Sequence, residues 1–486
     1  MLKKIFLGAG IWLMAVMLYQ SLKVLPEDIN YEGTAYSISN EDLAFFQDTT
    51  YLNSQGDRES EQEIFDEVFR MIDVATSYIL IDLFFYSNFT GVETSSYRKL
   101  SSELTQKLVE KKRLNPDVIV QVITDPINIM YGGHVSEDFL RLKNAGISVM
   151  VTDVKPLRDS NPMYSAVWRT FFQWFGNSDT EGLLPNPLNA ASPDLSIRTY
   201  LRMLNYKANH RKVVVTDYEV AGRRGFSTLI TSANPHDGSS AHSNIAIRVD
   251  SSIWQDVLVT EAAVAQLSKT NFILPSSELL AEVSEVATGS MAVTLLTEGA
   301  IETKIVAEID KTTIGDRVDI AMFYLSDRDI VKALIAADGR DVSVRLLLDP
   351  NKDAFGREKN GMPNRQVANE LVEASLGNTQ IRWCDTHGEQ CHSKLLLITR
   401  GDQITLVQGS ANFTKRNLDN YNLETDIAVT GSVTDQIFID AQAFFDSQWN
   451  NENERSYSVS YEVYADTSVY RTIVYRFKEF TGLSRW

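Results

Sequence analysis

The chain has 486 residues, of which 44% are hydrophobic and 23% are charged, which suffices for two units that each bury a core. This composition, without any low-complexity tract, excludes a largely disordered protein. The formal net charge of -18 argues against a general binder of long nucleic acids, because such binding draws on clustered Lys and Arg, although a local basic groove is still compatible with it.

The first predicted element is an apolar helix at the N-terminus. Lys3 and Lys4 precede an uncharged stretch from Ile5 to Leu22, which at helical rise would be about 27 Å long, close to the thickness of a bilayer core. The leading positive charges favour a cytoplasmic N-terminus. We therefore predict a single-pass membrane anchor over residues 1–25, with the body of the chain extracytoplasmic: periplasmic, extracellular or lumenal. A cleaved signal sequence is the alternative.

The rest of the chain contains an internal repeat in which apolar strands alternate with amphipathic helices. The strand patterns at 78–86 and 118–126 recur at 318–324 and 342–350. This alternation predicts an α/β fold with two pseudo-twofold-related halves, each with a mixed, largely parallel sheet flanked by helices. The predicted boundaries are 40–265 for the first domain, 280–455 for the second domain and 456–486 for a C-terminal extension.

One stretch of the first half, at about residues 155–205, has no counterpart in the second. It is rich in aromatic residues, namely Tyr164, Trp168, Phe171, Phe172, Trp174 and Phe175. Two interpretations stay open. These rings form an apolar wall for acyl chains or rest on a bilayer interface, or they pack into a small core of the insertion itself.

The two cysteines of the chain, Cys384 and Cys391, lie on either side of a short glycine-containing loop between two predicted strands. The sulfur atoms could therefore meet across a hairpin. Outside the cytoplasm a disulfide there would hold the segment before His392 in register. Two unpaired thiols are the alternative.

The most informative feature is a motif that occurs twice. Residues 209–217 recur, altered, at 391–399, and each copy precedes a Ser-Ala-Asn triplet. Because side chains alternate along a strand, a histidine shares one face with the lysine two residues later, and a serine with the asparagine two residues later. If the halves meet, two imidazoles, two ammonium groups, two hydroxyls and two amides surround one small volume, which suits a phosphodiester. The residues are His210, Lys212, Ser232, Asn234, His392, Lys394, Ser410 and Asn412.

This doubled motif resembles that of the phospholipase D superfamily, His-x-Lys-x4-Asp followed by Gly-Ser-x-Asn, over roughly residues 60 to 450. The first copy keeps the aspartate, Asp217, but has Thr231 in place of the glycine. The second keeps Gly409 but has Thr399 in place of the aspartate. Since Asp217 is seven residues from His210, it faces away from the catalytic side of a strand, and we interpret it as structural.

The resemblance implies a two-step reaction through a covalent phosphohistidine, without a metal ion or another cofactor. By similarity His210 is expected to be the nucleophile and His392 the general acid and base, although either order satisfies the scheme. The lysines and asparagines would bind phosphate oxygens, and the serines would bind phosphate or position neighbouring groups.

Glu424 lies where the family often carries a glutamate that holds the second nitrogen of a histidine. We expect it to belong to the catalytic set and to hold His392, thereby fixing its tautomer; a solvated strand end is the alternative. The corresponding place in the first half carries His242-Ser243-Asn244, so His210 has no obvious carboxylate partner.

These observations favour a membrane-anchored phosphodiester hydrolase or phosphatidyltransferase that acts on glycerophospholipids, similar to a phospholipase D or a cardiolipin synthase. Water or an alcohol in the second step would decide between the two. The expected partners are a phospholipid substrate and the membrane; nucleic acid is a weaker expectation, and no obligate protein partner is inferred. An exported nuclease of the same superfamily and a non-catalytic phosphate- or lipid-binding protein are the alternatives.

Overall fold

The computed structural model describes residues 1–91, 97–175, 182–188, 192–220, 222–283, 289–484 and 486. Residues 176–181 and 189–191 of the predicted insertion lie outside the described residues. The α-helices are α1 (Leu2–Leu22), α2 (Ile64–Val74), α3 (Leu100–Leu114), α4 (Glu137–Asn144), α5 (Pro162–Val167), α6 (Ile197–Met203), α7 (Ile253–Leu267), α8 (Ser277–Glu282), α9 (Gly299–Asp310), α10 (Arg328–Asp338), α11 (Asn364–Ala374), α12 (Lys415–Leu418), α13 (Gln436–Asn450) and α14 (Val469–Thr481).

The strands form two large sheets and one short hairpin. They are β1 (Tyr36–Ile38), β2 (Leu43–Leu52), β3 (Arg58–Gln62), β4 (Tyr78–Leu83), β5 (Ile119–Thr124), β6 (Ser148–Val151), β7 (Lys212–Val220), β8 (Arg223–Thr231), β9 (Asn244–Val249), β10 (Met291–Thr297), β11 (Arg317–Met322), β12 (Ser343–Leu348), β13 (Asp353–Ala354), β14 (Arg357–Glu358), β15 (Thr379–Cys384), β16 (Lys394–Arg400), β17 (Gln403–Gly409), β18 (Thr425–Ser432) and β19 (Ser458–Ser460).

The two large sheets repeat one topology. The first has the order β3-β2-β9-β8-β7-β4-β5-β6, and the second has the order β1-β10-β18-β17-β16-β11-β12-β15-β19. From β2 to β6 and from β10 to β15 the two orders match strand for strand. The prediction of two similar α/β halves with mixed sheets and flanking helices is therefore confirmed.

The sheets are less parallel than expected. In each of them two pairings are parallel, β4 with β5 and β5 with β6, and their counterparts β11 with β12 and β12 with β15. The other pairings are antiparallel. The expectation of largely parallel sheets was wrong because the repeated motif lies on tight hairpins, β7–β8 and β16–β17, and a short turn can join only antiparallel neighbours.

The two sheets pack face to face and share one core. Val213 and Val215 of β7 belong to the same buried apolar cluster as Leu395 and Leu397 of β16. The alternate residues on these strands, such as Val214 and Leu396, point outward and pack beneath the helices of their own half. Both copies of the motif reach the interface between the halves at the starts of β7 and β16, where isolated bridges join Asn209 to Leu423 and Ser243 to Cys391.

The helix α1 lies on the outside of the protein, against α5 of the insertion. Its residues Lys3–Leu22 are long and apolar enough to cross a membrane, and 0% of that stretch is buried. The aromatic side chains of the insertion divide between the two interpretations. Trp168 is buried, whereas Phe171, Trp174 and Phe175 are exposed.

Cys384 and Cys391 form a disulfide, as the first interpretation of this pair required. The hairpin that we expected around them was wrong, because β15 and β16 are not neighbours: β11 and β12 lie between them. The segment from Cys384 to Cys391 therefore passes the carboxyl ends of the two strands between them, and the disulfide joins the two ends of this segment. Cys391 directly precedes His392, so the bridge secures the approach to the second motif.

Candidate active site

The histidines of both motifs lie just before the strands on which we had placed them. The strands β7 and β16 begin at Lys212 and Lys394, two residues after His210 and His392. Each histidine is instead fixed by a backbone contact with the opposite half. The His210 N–H donates to the carbonyl oxygen of Leu423 at 2.8 Å, and the His392 N–H donates to that of Ser243 at 2.8 Å.

The side-chain partners of the histidines also cross between the halves. Nδ1 of His210 lies 2.8 Å from Oε2 of Glu424, and Nδ1 of His392 lies 3.0 Å from Oδ1 of Asn244. The expectation that Glu424 holds His392 was therefore wrong. The physical reason is the backbone pairing across the interface, which sets each histidine beside the segment that leads into β9 or β18 of the other half.

The motif serines donate hydrogen bonds to these same partners. The Ser410 hydroxyl donates to Oε2 of Glu424 at 2.5 Å, and the Ser232 hydroxyl donates to Oδ1 of Asn244 at 3.0 Å. Both serines are fully buried. Of the two roles that we considered for the serines, this geometry matches the positioning of a neighbouring group.

In both imidazoles Nδ1 carries the hydrogen atom and donates a hydrogen bond. Burial alone would raise the pKa of Glu424, but His210, Lys212 and Ser410 outweigh it and hold that pKa below its ordinary value, so Glu424 is an ionised acceptor. The amide of Asn244 donates from Nδ2 to the carbonyl oxygen of His242 at 3.0 Å, which leaves Oδ1 as the acceptor for His392. With Nδ1 occupied in both rings, Nε2 is the nitrogen left for a substrate.

Each motif lysine lies beneath its histidine and against an aromatic ring. Nζ of Lys212 donates to the carbonyl oxygen of His210 at 2.8 Å and lies 5.2 Å from the ring centroid of Phe84. Nζ of Lys394 donates to that of His392 at 2.7 Å and lies 5.2 Å from the centroid of Phe323. The two aromatic residues follow β4 and β11, so the sheet symmetry extends to this layer.

Burial lowers the pKa of every cation in this cluster. The pKa of His210 falls to about 4, because desolvation and Lys212 together exceed the opposing effect of Glu424. Burial lowers the pKa of Lys212 to about 7. For His392 and Lys394 burial and the neighbouring cations hold the pKa well below the ordinary values. An anionic phosphate beside these groups favours their protonated forms, so the cluster is built to gain charge when an anion binds.

A cavity of about 450 Å³ contains both imidazoles and both motif asparagines. The Oδ1 atom of Asn234 accepts the backbone N–H of Phe85 at 3.1 Å, which leaves its amide N–H groups for a ligand. Aromatic rings form about a third of the lining, and three basic side chains outside the motifs join them. The lining includes Phe84, Phe85, Tyr131, Lys207, His210, Asn234, His242, Phe323, Tyr324, Phe355, Lys359, His392, Asn412, Arg416 and Trp486.

Several of these residues were not identified from the sequence. Asn244 binds His392, although nothing in the sequence identified this asparagine as the partner of a catalytic histidine. The one available signal was that Asn244 lies at the place in the first half that corresponds to Glu424 in the second. His242 lines the cavity, with its ring centroid 5.9 Å from that of His392. Lys359, Arg416 and Trp486 lie outside the repeated motifs, so no internal comparison could indicate them.

Two buried aspartates hold the segments that carry the histidines. Oδ2 of Asp125 accepts the backbone N–H of Asn209 at 2.7 Å, and Oδ2 of Asp349 accepts that of Cys391 at 2.8 Å. Asp217 lies elsewhere. It accepts the backbone N–H groups of Thr76, Ser77 and Tyr78 ahead of β4, so its interpretation as structural is confirmed.

A buried ion-pair group supports Glu424 from the protein interior. Arg211 lies 3.1 Å from Glu261 and 2.9 Å from Glu298, and all three side chains are fully buried. Oε1 of Glu298 also accepts the backbone N–H of Glu424 at 2.9 Å. The residue next to His210 therefore fixes the backbone that presents the partner of His210.

Comparisons with known proteins agree with this architecture. The family model described as "Cardiolipin synthase, PLD-like domain" matches residues 305–449. The fold is similar to that of phosphatidylserine synthase from Haemophilus influenzae Rd KW20, with a TM-score of 0.56, 10% identity, and coverage of 92% of this chain and 94% of that one. The phospholipase D family member Nuc from Salmonella typhimurium aligns at 19% identity and a TM-score of 0.27, covering 34% of this chain and 97% of its own. No curated protein matches the sequence.

The similarity in fold extends over both halves, and the family match covers most of the second half, which contains His392, Lys394 and Asn412. The first half repeats that half strand for strand and motif for motif. Residues 305–449 of the second half therefore match the PLD-like domain family, and the fold of the whole chain is similar to that of phosphatidylserine synthase.

Proposed function

We propose that this protein is a membrane-anchored phosphodiester hydrolase or phosphatidyltransferase that acts on glycerophospholipids. One observation carries the proposal. Two imidazoles, each with Nδ1 occupied, border one aromatic-walled cavity together with two asparagines, and a buried lysine lies beneath each ring.

In the first step Nε2 of one imidazole attacks phosphorus. A P–N bond forms, and the P–O bond to the head-group alcohol breaks. The other imidazole, protonated at Nε2, gives its proton to the departing oxygen and becomes neutral. Lys212, Lys394, Asn234 and Asn412 stabilise the charge on the non-bridging oxygens.

In the second step the neutral imidazole takes a proton from water or from an acceptor alcohol. The resulting oxygen attacks phosphorus, the P–O bond forms and the P–N bond breaks. Water yields a phosphatidic acid, and an alcohol yields a new phosphodiester. The same residues serve both outcomes, so the acceptor decides between hydrolysis and transfer.

We assign the nucleophile to His210. With Nδ1 protonated, an imidazole that binds phosphorus through Nε2 carries a positive charge. The Glu424 carboxylate stabilises that charge, whereas the amide of Asn244 beside His392 offers a dipole alone. His392, which lacks a carboxylate partner and is surrounded by Lys394, His242 and Lys212, is the stronger acid once protonated and suits the donor role.

Three features support a lipid substrate over a nucleic acid. Aromatic and aliphatic side chains make up half of the cavity lining. The exposed helix α1 is long and apolar enough for a membrane anchor. The net charge of -18 disfavours a long polyanion. We place the catalytic body outside the cytoplasm, because Lys3 and Lys4 precede α1 and because the chain carries a disulfide.

The test is a substrate panel on the purified full-length chain. Labelled phosphatidylglycerol and phosphatidylethanolamine are supplied in mixed micelles, with and without ethanol, beside single-stranded DNA. We expect lipid turnover and, with ethanol, a phosphatidylethanol product. His210→Ala should abolish both, and His392→Ala should lower both by about a hundredfold or more. His387→Ala, on a partly exposed side chain, should change neither. Cleavage of DNA without lipid turnover would establish the nuclease instead, and no turnover of any substrate would favour a binding protein.

A further inference from the structure

We propose that the C-terminal helix α14 lies on the membrane surface beside the exit of α1 and holds the catalytic cavity against the bilayer. The partner of this surface is the lipid bilayer itself. The inference rests on the lipid substrate and the membrane anchor proposed above, and it adds a second, peripheral contact between the protein and the membrane.

The outer face of α14 is apolar. Tyr470, Ile473, Phe477 and Phe480 follow one another at helical spacing and, with Val469, are 58 to 89% exposed. The opposite face is anchored in the protein, since Tyr475 is fully buried and its hydroxyl contacts the carbonyl oxygen of Ser326 at 3.4 Å. An amphipathic helix of a soluble domain usually turns its apolar stripe inward; this one turns it outward, as interfacial helices do.

The level of the membrane surface follows from the contacts of the 158–161 loop with the end of α1. The backbone N–H of Asp159 donates to the carbonyl oxygen of Gln20 at 3.1 Å, and Nε of Arg158 donates to that of Lys23 at 2.8 Å. If α1 spans a membrane, these residues mark where it leaves the bilayer, so the 158–161 loop lies at the membrane surface.

The same loop contacts the end of α14. Gly482, which follows the helix, packs so closely on the carbonyl oxygen of Ser160 that no side chain fits there. The C-terminal end of α14 is therefore at the level where α1 emerges. This contact is the reason for naming a bilayer, rather than a protein, as the partner of the apolar stripe.

Other exposed side chains near α1 and α14 are also of types that are common at a membrane interface. Trp174 and Phe175 of the insertion are exposed, and Trp174 borders a groove that Trp12 and Tyr19 of α1 also line. On α14 itself, Arg471 and Lys478 flank the apolar stripe. Aromatic rings and basic side chains are enriched where proteins meet lipid head groups.

The catalytic cavity opens next to this surface. Trp486, four residues after Gly482, lines the cavity and packs its ring 6.3 Å from that of Tyr475. Arg416, which also lines the cavity, donates to the carbonyl oxygen of Ser484. A head group at the bilayer surface therefore has a short path into the cavity, past the segment that ends α14.

A depth measurement tests the inference directly. Both native cysteines are paired, so a cysteine introduced in Phe477→Cys is the sole free thiol for a spin label. The matched control is Ile314→Cys, which is 75% exposed and precedes β11, at the opposite end of that strand from Ser326 and α14. The full-length chain is placed in vesicles of phosphatidylcholine and phosphatidylglycerol, and collisions with oxygen and with a water-soluble nickel complex are compared.

We expect the label at position 477 to favour oxygen over the nickel complex, and the label at position 314 to favour the nickel complex. Equal and high access of the nickel complex at both positions would overturn the inference. This readout needs no turnover, so it stands or falls separately from the proposed reaction.

A functional experiment complements it. The double variant Ile473→Glu with Phe477→Glu should lower turnover of vesicle phospholipid by about tenfold or more, since a charged face cannot rest in the interface. Turnover of soluble bis(p-nitrophenyl) phosphate should stay unchanged, which also shows that the variant is folded. Ile314→Glu should change neither. Equal loss on both substrates, or no loss on vesicles, would contradict a docking role for α14.

Discussion

Glu424 holds His210, a residue of the other half of the chain, through a 2.8 Å contact between Oε2 and Nδ1. The equivalent contact in the other direction, from Asn244 to His392, is of similar length but involves a neutral amide. The backbone geometry of the two sites is symmetric, while their charge is not. Two histidines in matched motifs therefore have different acid–base chemistry.

This asymmetry predicts which histidine becomes phosphorylated. His392→Ala removes the proton donor but keeps the nucleophile, so a diester with a p-nitrophenolate leaving group, which needs no proton, should still react once. We expect nearly stoichiometric label from ³²P-labelled substrate on His210 and, with a natural alkoxide leaving group, a rate loss of about a hundredfold or more. The measurement is acid-labile, base-stable label located by peptide mapping.

His210→Ala is the matched variant, and we expect it to take up no label. His134→Ala, in a loop outside the cavity lining, should turn over normally. Label on His392 in the His210→Ala variant would reverse the two roles.

The pKa values predict the pH profile of kcat/KM for bis(p-nitrophenyl) phosphate. Attack needs an unprotonated Nε2, so the rate should rise with pH through about 4, where His210 loses its proton, and not through 6.5. It should fall above about 7, where Lys212 loses the charge that binds phosphate. Glu424 opposes the downward shift of the His210 pKa, so Glu424→Gln should move the acid limb to lower pH and lower the plateau by roughly tenfold or more.

Asn244→Ala serves as the control for that profile. Asn244 contacts His392, which this substrate does not need in the first step, so the acid limb should keep its position. An acid limb near 6.5 in the unchanged protein, or one that Glu424→Gln leaves in place, would contradict the role given to Glu424.

Arg211 is predicted to be essential for stability. Arg211→Met leaves the carboxylates of Glu261 and Glu298 buried without their cation, which should lower the free energy of unfolding by about 3–5 kcal/mol. Arg113→Met is the comparison, because Arg113 is exposed and lies 4.0 Å from Glu110; it should cost at most about 1 kcal/mol. Urea unfolding followed by circular dichroism measures both, and equal effects would refute the prediction.

The disulfide between Cys384 and Cys391 is predicted to stabilise the approach to the second motif. Replacing both cysteines with alanine should lower the free energy of unfolding by about 2–4 kcal/mol, because the unfolded chain loses a cross-link. Thermal unfolding with and without dithiothreitol provides the check. The reductant should lower the Tm of the unchanged protein and leave that of the double variant where it is; a drop in both would mean that the reductant acts elsewhere.

The sequence was sufficient for the strands of each half and for their repetition, but not for the direction in which neighbouring strands pair. Local alternation predicted the strands before and after each motif, and the repeat predicted that both halves share one topology. The parity argument also identified Asp217 as structural, because it depends on positions along a single strand.

The pairing of Glu424 with His210 was beyond the reach of those arguments. It joins residues 214 positions apart and depends on how the two sheets pack against each other. Neither hydrophobic periodicity nor secondary-structure propensity contains that information. The sequence suggested that Glu424 serves the histidine nearer in the chain. The outward orientation of the apolar face of α14 could not be predicted for a related reason. An amphipathic pattern indicates that a helix has an apolar face, but the neighbouring elements decide whether that face turns toward a core or toward the outside.

Because Glu424 serves one ring and Asn244 the other, substitution at either position alters a single site. In an assembly of two identical subunits every mutation is made twice, and the two rings stay equivalent. A fused duplicate is free of that constraint, so natural selection can tune attack and proton delivery independently. The carboxylate on one side and the amide on the other are the kind of divergence that such freedom permits.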